Sequence, residues 1–226
     1  MADTQRLMRP HLVKPETYSS AVPLEEMARQ AGIPEDQIVR LNANENPFGA
    51  LPEIVDSLRG LPLHLYPDPD QRAVREALSE YTGHPTDRLL AGAGSDELID
   101  LLMRLFVAPR ERVLDCDPTF GMYRFCARVA DADVVSVPRD EFFQVDVAAV
   151  SREDDERTKI VFLASPNNPT GNILPEEHAR ALLRLGLIVV VDETYHEFCG
   201  ESVAPLVAEH ENLVVLRSFS KWAGIA

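Results

Sequence analysis

Four short stretches carry residues whose types and spacing suit chemistry. In "RSFSK", Lys221 follows Ser218 and Ser220 closely. A lysine among small hydroxyl residues can form a Schiff base with a carbonyl if its ammonium is destabilised; the plain alternative is a solvated surface lysine. In "LIVVVDETYHEF", Asp192 ends an apolar run and Tyr195 lies three residues on. A carboxylate abutting a buried strand loses hydration and needs a cation or several hydrogen bonds, and a protonated ring nitrogen would serve as that cation. Asp192 could equally cap a helix, with Tyr195 as core packing. In "SPNNPTGN", two prolines and a glycine impose an irregular loop holding Asn167 and Asn168, whose amides can donate to a ligand oxygen or simply stiffen the connection. In "AGAGSDELI", Gly92 and Gly94 permit close backbone approach just before a helix whose free N–H groups favour an anion. The same stretch also reads as a tight turn capped by Ser95 or Asp96.

The elements that must position these residues follow from periodicity. Apolar runs at 112–116, 133–137, "KIVFLAS" (159–165), "LIVVVDE" (187–193) and "NLVVLRS" (212–218) read as strands, with a further short strand near 88–91. Helices are expected near 23–31, at 70–82, at 95–107, from 119, and at 174–185, where Pro175 and two glutamates suit a helix start. In the 95–107 helix, Leu98, Leu101, Leu102, Leu105 and Phe106 line one face. Continuous apolar strands alternating with helices predict a three-layer α/β/α fold with a mostly parallel sheet. In such sheets, ligands bind outside the carboxyl ends of the strands, and all four stretches lie next to a strand end.

Composition excludes some partners. The 22 basic and 37 acidic residues give a net charge of −15, a field that repels nucleic acid. No apolar stretch approaches the roughly 20 residues of a membrane span, and the first 20 residues lack a signal-peptide core. Three cysteines, Cys116, Cys126 and Cys199, have neither disulfide-framework parity nor metal-ligand spacing. A small anionic ligand is not excluded, because backbone N–H groups bind phosphate even in an acidic protein, and the sequence reads as that of a soluble cytoplasmic protein.

A phosphate cradle, a carboxylate, a phenol, an amide and a lysine together match the needs of pyridoxal phosphate: donors for its phosphate, an acid for its ring nitrogen, donors for its 3′ oxygen and an amine for its aldehyde. From about residue 10 to residue 226 the chain resembles the fold-type I, class II aminotransferases that use this cofactor. The motifs are "LNANENPFG", "YPDP", "GAGSDELIDLLMRLF", "DPTFGMY", "SPNNPTG", "VVVDETYHEF" and "RSFSKWAGIA". Within that family the first and fifth are similar to the histidinol-phosphate subgroup. The resemblance implies that Lys221 binds the cofactor aldehyde and shuttles the substrate proton. It implies that Asp192 pairs with the ring nitrogen, that Tyr195 and Asn168 bond the 3′ oxygen, and that Asn168 also lies at the substrate. Gly94, Ser95 and Asp96 would hold the phosphate through backbone groups, with help from the Ser218 hydroxyl. Phe120 would stack on the ring or serve as a core aromatic. Tyr66 would reach the phosphate of a neighbouring subunit's cofactor, implying a homodimer, and Tyr18 would approach the substrate. His196 receives no catalytic role.

The implied reaction exchanges an amino group between histidinol phosphate and 2-oxoglutarate. An aromatic aminotransferase, a threonine-phosphate decarboxylase and a non-catalytic or partner-completed chain are the rival readings. A nucleotide-binding domain is disfavoured because "GAGSDE" does not match G-x-G-x-x-G. Residues 1–45 would form an arm belonging to the family's small domain, and residues 46–226 the cofactor-binding large domain, incomplete at its C-terminus. The family continues past the lysine with a phosphate-binding arginine and a C-terminal small domain, so weak cofactor binding and little turnover are expected of these 226 residues alone.

Overall fold

Each long apolar run becomes a strand because β-branched residues pack well on a pleated surface covered from both sides. The computed structural model describes residues 4–13 and 22–226. Among them the helices are α1 (Leu24–Ala31), α2 (Pro52–Ser57), α3 (Arg72–Thr82), α4 (Ser95–Phe106), α5 (Met122–Val129), α6 (Val147–Glu153), α7 (Glu176–Leu183) and α8 (His196–Cys199). The strands are β1 (Arg112–Asp117), β2 (Asp133–Pro138), β3 (Thr158–Ala164), β4 (Ile188–Asp192) and β5 (Leu213–Leu216). All five pair in parallel, in the order β2-β1-β3-β4-β5.

That order fixes the layers. The chain steps outward from β1 to β2, then returns past β1 to β3 and continues through β4 to β5. With right-handed crossovers, the reversal sends the connecting helices to opposite faces. Ile160 and Phe162 of β3 point toward Ile99, Leu102 and Met103 of α4 and toward Tyr123, Cys126 and Ala127 of α5. Their neighbours Val161 and Leu163 point the other way, into a second core with Val150 of α6 and Ala179, Leu182 and Leu183 of α7. The fold is therefore a three-layer α/β/α sandwich. Its topological switch point lies between the ends of β1 and β3.

Three local expectations are corrected. No strand forms at 88–91. A strand needs a ladder partner, and the backbone of Ala91 is held instead by a side chain: Gln71 Nε2 donates to its carbonyl at 2.8 Å and Gln71 Oε1 accepts from its N–H at 3.0 Å. The buried stripe of α4 is Ile99, Leu102 and Met103, rotated from the face containing Leu105, which is 72% exposed. Both stripes have helical spacing, and packing against α5 and the sheet selects between them. The helix expected from 119 begins at Met122, after the irregular turn Pro118–Gly121. Helix α6 was not foreseen, although Asp146 caps it by accepting from Ala149 N–H at 2.9 Å.

Candidate active site

Asp192 is the last residue of β4 and is buried. Its Oδ1 accepts from the backbone N–H of Thr194 at 3.0 Å and from the Thr194 hydroxyl at 2.7 Å. Its Oδ2 accepts from the Tyr123 hydroxyl at 2.8 Å. Burial raises the carboxyl's pKa. The Thr194 and Tyr123 hydrogen bonds, and the charge of Lys221, pull against that rise without cancelling it. Such a carboxylate gains strongly from a cation placed against it. Tyr123 is itself fixed by a stacked contact with Phe162 at 4.9 Å and an edge-on contact with half-buried Phe120 at 5.6 Å.

Helix α4 points its start at the same region. Gly94 adopts φ +89° with ψ 172°, and neither Ser95 nor Asp96 caps the helix. Glu97 instead reaches back beyond the helix to the N–H of Ala93 at 2.5 Å. The N–H groups of the first turn thus keep no side-chain cap, the condition that favours an anion. The Ser95 hydroxyl lies 3.4 Å from that of Thr194, linking the helix start to Asp192. Burial, and then the charge of Asp192, raises the pKa of Asp96, while Lys221 opposes both. Asp96, Asp192 and Lys221 therefore share one electrostatic neighbourhood.

Beyond β5 the chain turns tightly. The Ser218 hydroxyl, buried, donates to that of Ser220 at 2.9 Å and accepts from the Ser220 N–H at 3.1 Å. Ile225 N–H donates to the Phe219 carbonyl at 3.3 Å, closing a turn around half-buried Lys221. Arg217 is engaged elsewhere: it pairs at 2.9 Å with Glu193, a buried carboxylate that also accepts from the Ser202 hydroxyl and Val203 N–H.

At the switch point the two asparagines divide. Asn167 is buried and structural: its Nδ2 donates to the Pro118 carbonyl at 3.0 Å and to Thr170 Oγ1 at 2.8 Å, and its Oδ1 accepts from Thr119 at 2.9 Å. Asn168 is half-buried. The Tyr195 hydroxyl accepts from Asn44 Nδ2 at 2.8 Å. His196 is held by a loop contact of Nδ1 with the Glu201 carbonyl at 2.8 Å. Tyr66 is fully exposed, and Tyr18 lies outside the described residues. Sequence reasoning gave no role to Tyr123, Thr194, Asn44 or Asn46.

The sheet topology and the strand-end residues define a class, and the comparisons with known proteins agree with it. A sequence profile described as aminotransferase class I and II matches residues 36–226, and the chain belongs to that family. More particularly, it is 47% identical over 227 residues to the histidinol-phosphate aminotransferase of Roseiflexus castenholzii, covering 97% of this chain and 61% of the relative. It is 45% identical to the chloroplastic histidinol-phosphate aminotransferase of Nicotiana plumbaginifolia, covering 97% of this chain and 54% of the relative. Among solved structures it is similar to the histidinol-phosphate aminotransferase of Sinorhizobium meliloti in complex with pyridoxal 5′-phosphate. That match has a TM-score of 0.77 and 28% identity, and covers 92% of this chain and 58% of that one. The chain thus spans little more than half the length of the proteins it matches.

Proposed function

We propose that the protein is a pyridoxal-phosphate-dependent aminotransferase that exchanges an amino group between histidinol phosphate and 2-oxoglutarate, giving imidazole-acetol phosphate and glutamate. The observation that carries this reading is the meeting of a buried carboxylate, an uncapped helix start and a half-buried lysine at the carboxyl end of the parallel strands. These residues fit the cofactor by the chemistry of their donors and acceptors. The 47% identity to a histidinol-phosphate aminotransferase supports the choice of substrate.

When bound, the cofactor supplies an electron sink for charge released at the substrate's Cα. The chain's residues do the rest. Asp192 keeps a proton on the ring nitrogen, and Tyr123 and Thr194 hold the carboxylate in place for it. The first-turn N–H groups at Gly94, Ser95 and Asp96, with the Ser218 hydroxyl, bind the phosphate. Tyr195 and Asn168 orient the 3′ oxygen, and Asn168 borders the substrate. Phe120 covers the ring face. Lys221 Nζ would hold the cofactor aldehyde and, as a free amine, would carry the proton between the substrate's Cα and the cofactor's C4′ within each half-reaction. Tyr66, wholly exposed here, suits a contact with a second subunit's phosphate site in a homodimer. Residues 46–226 form the cofactor-binding large domain, the arm 1–45 belongs with a small domain, and the protein works in the cytoplasm.

The test is a visible absorbance titration with pyridoxal phosphate, wild type beside Lys221→Ala. The expected result is a band that borohydride traps on Lys221 and that the variant lacks. Trapping on other lysines only, or an unchanged band in the variant, overturns the assignment. A panel of histidinol phosphate, aromatic amino acids and threonine phosphate then tests the substrate.

A further inference from the structure

The stretch "LNANENPFG" (41–49) has no part in the function above, yet two of its amides reach the site. Asn44 Nδ2 donates to the Tyr195 hydroxyl at 2.8 Å. Asn46 Nδ2 donates at 3.0 Å to the carbonyl of Trp222, the residue after Lys221. Asn46 Oδ1 meanwhile accepts from Phe48 N–H at 3.0 Å, so this side chain is fixed at both ends. Gly224 seals the same contact. It sits at φ +65°, and a Cβ there would lie 2.6 Å from the Gly49 carbonyl oxygen. The Trp222 indole stacks on Tyr81 at 6.1 Å and packs against Phe219 at 5.7 Å.

We propose that the 44–49 loop is a two-point clamp that fixes Lys221 and Tyr195 relative to one another, with Asn44 and Asn46 as its positioning residues. This rests on the assignment of Lys221 and Tyr195 to the cofactor. The hydrogen bonds inside the 218–225 turn are local, Ser218 with Ser220 and Phe219 with Ile225. They set the shape of the turn but not its place. Lysine has a flexible four-carbon stem, so the place of its backbone decides where Nζ can act. The Asn46 bond and the Gly224–Gly49 contact tie that backbone to a loop remote in sequence. Asn44, in the same loop, occupies one acceptor position on the Tyr195 oxygen. That bond sets the place of the phenol oxygen relative to the loop.

The test uses single substitutions. Asn46→Asp keeps the acceptor for Phe48 N–H and replaces the donor to Trp222 with an oxygen that the Trp222 carbonyl repels. Without cofactor, amide hydrogen exchange across 219–225 should quicken about tenfold, the order one ordinary hydrogen bond supports, while β3 and β4 stay unchanged. With pyridoxal phosphate, borohydride trapping at Lys221 should slow by a similar factor. Asn44→Gly, which removes the donor without adding a charge and tolerates the φ of +52°, should shift the pH at which the visible band titrates by about one unit, and in a Tyr195→Phe background that shift should vanish. Unchanged exchange across 219–225 in Asn46→Asp overturns the clamp, as does a shift that survives in Tyr195→Phe. A wild type that traps no adduct at Lys221 sinks the cofactor assignment instead, and hydrogen exchange then decides the clamp by itself.

Discussion

The hydroxyl of Tyr123 donates to Oδ2 of Asp192 at 2.8 Å, and both side chains are buried. One comes from the first turn of α5 and the other from the end of β4, so the bond ties a helix to the centre of the sheet at the point where the site opens. Burial, followed by the charge of Asp192, holds the Tyr123 phenol well above its ordinary pKa, so it remains a donor.

Tyr123→Phe removes that donor and leaves the stacking on Phe162 intact. A hydrogen bond to a charged group contributes about 1.5–3 kcal/mol, and a loss of that order is expected at neutral pH. Urea unfolding of the two proteins measures it. A change below about 0.5 kcal/mol would show that Thr194 alone satisfies the carboxylate.

Asp192 also gives the unliganded protein a pH dependence of definite sign. Its folded pKa is raised above the ordinary 3.8, so above that value the folded chain holds more protons than the unfolded one. The stability involved is complete below the unfolded pKa and is lost as pH rises through the folded one. Asp96 acts in the same direction. Asp192→Asn removes this dependence. Relative to wild type, the variant should gain stability as pH rises from about 4 until Asp192 is ionised in the folded protein. Urea unfolding at a series of pH values tests this; a variant that tracks wild type throughout would contradict it.

These two residues also show what a sequence reveals. Asp192 was legible because a charge directly after five aliphatic positions has few bland explanations. The same holds for the glycines at 92 and 94 and for Lys221, each next to a regular element. Tyr123 was not legible as a site residue, because an aromatic on an amphipathic helix has the signature of core packing, and here it does both. The choice of stripe on α4 and the absence of a strand at 88–91 depend on which neighbours are present in space. Periodicity counts apolar positions and cannot supply those neighbours. Asn44 and Asn46 looked like loop formers, and their long-range partners lie over 150 residues away.

The pair Glu193–Arg217 anchors the start of the lysine turn. Glu193 is buried at 1% exposure, and Arg217 supplies its only counter-charge within ion-pair distance among the described residues. Removing one partner of a buried pair costs about 3–5 kcal/mol, because the other charge stays buried. Arg217 keeps some solvent contact, so Arg217→Met should fall at or below the lower end of that range. Glu193→Gln with Arg217→Met should recover most of the loss. Thermal unfolding of the single and double variants gives the coupling, and a double variant no better than the single would show that the charges act independently.

The two glycines before α4 are needed for different reasons, and alanine substitution separates them. Gly94 has φ +89° and ψ 172°, a region almost closed to other residues, while a Cβ there would meet nothing within 4 Å. Its requirement is conformational, and Gly94→Ala should cost about 1–3 kcal/mol and turn the first N–H groups of α4 away from their present direction. Gly92 is not in the positive-φ region, but a Cβ would lie 2.8 Å from Glu97 Oε2 and 2.9 Å from Leu98 Cδ2. Those are side-chain atoms able to move, so Gly92→Ala should mainly displace the Glu97 carboxylate from Ala93 and cost less. Urea unfolding should rank Gly94→Ala as the more destabilised. Titration with pyridoxal phosphate should show the same order of weakened binding, because only the first substitution redirects the helix start. The reverse order in both measurements would mean that the Glu97 bond to Ala93, and not the Gly94 conformation, shapes the anion site.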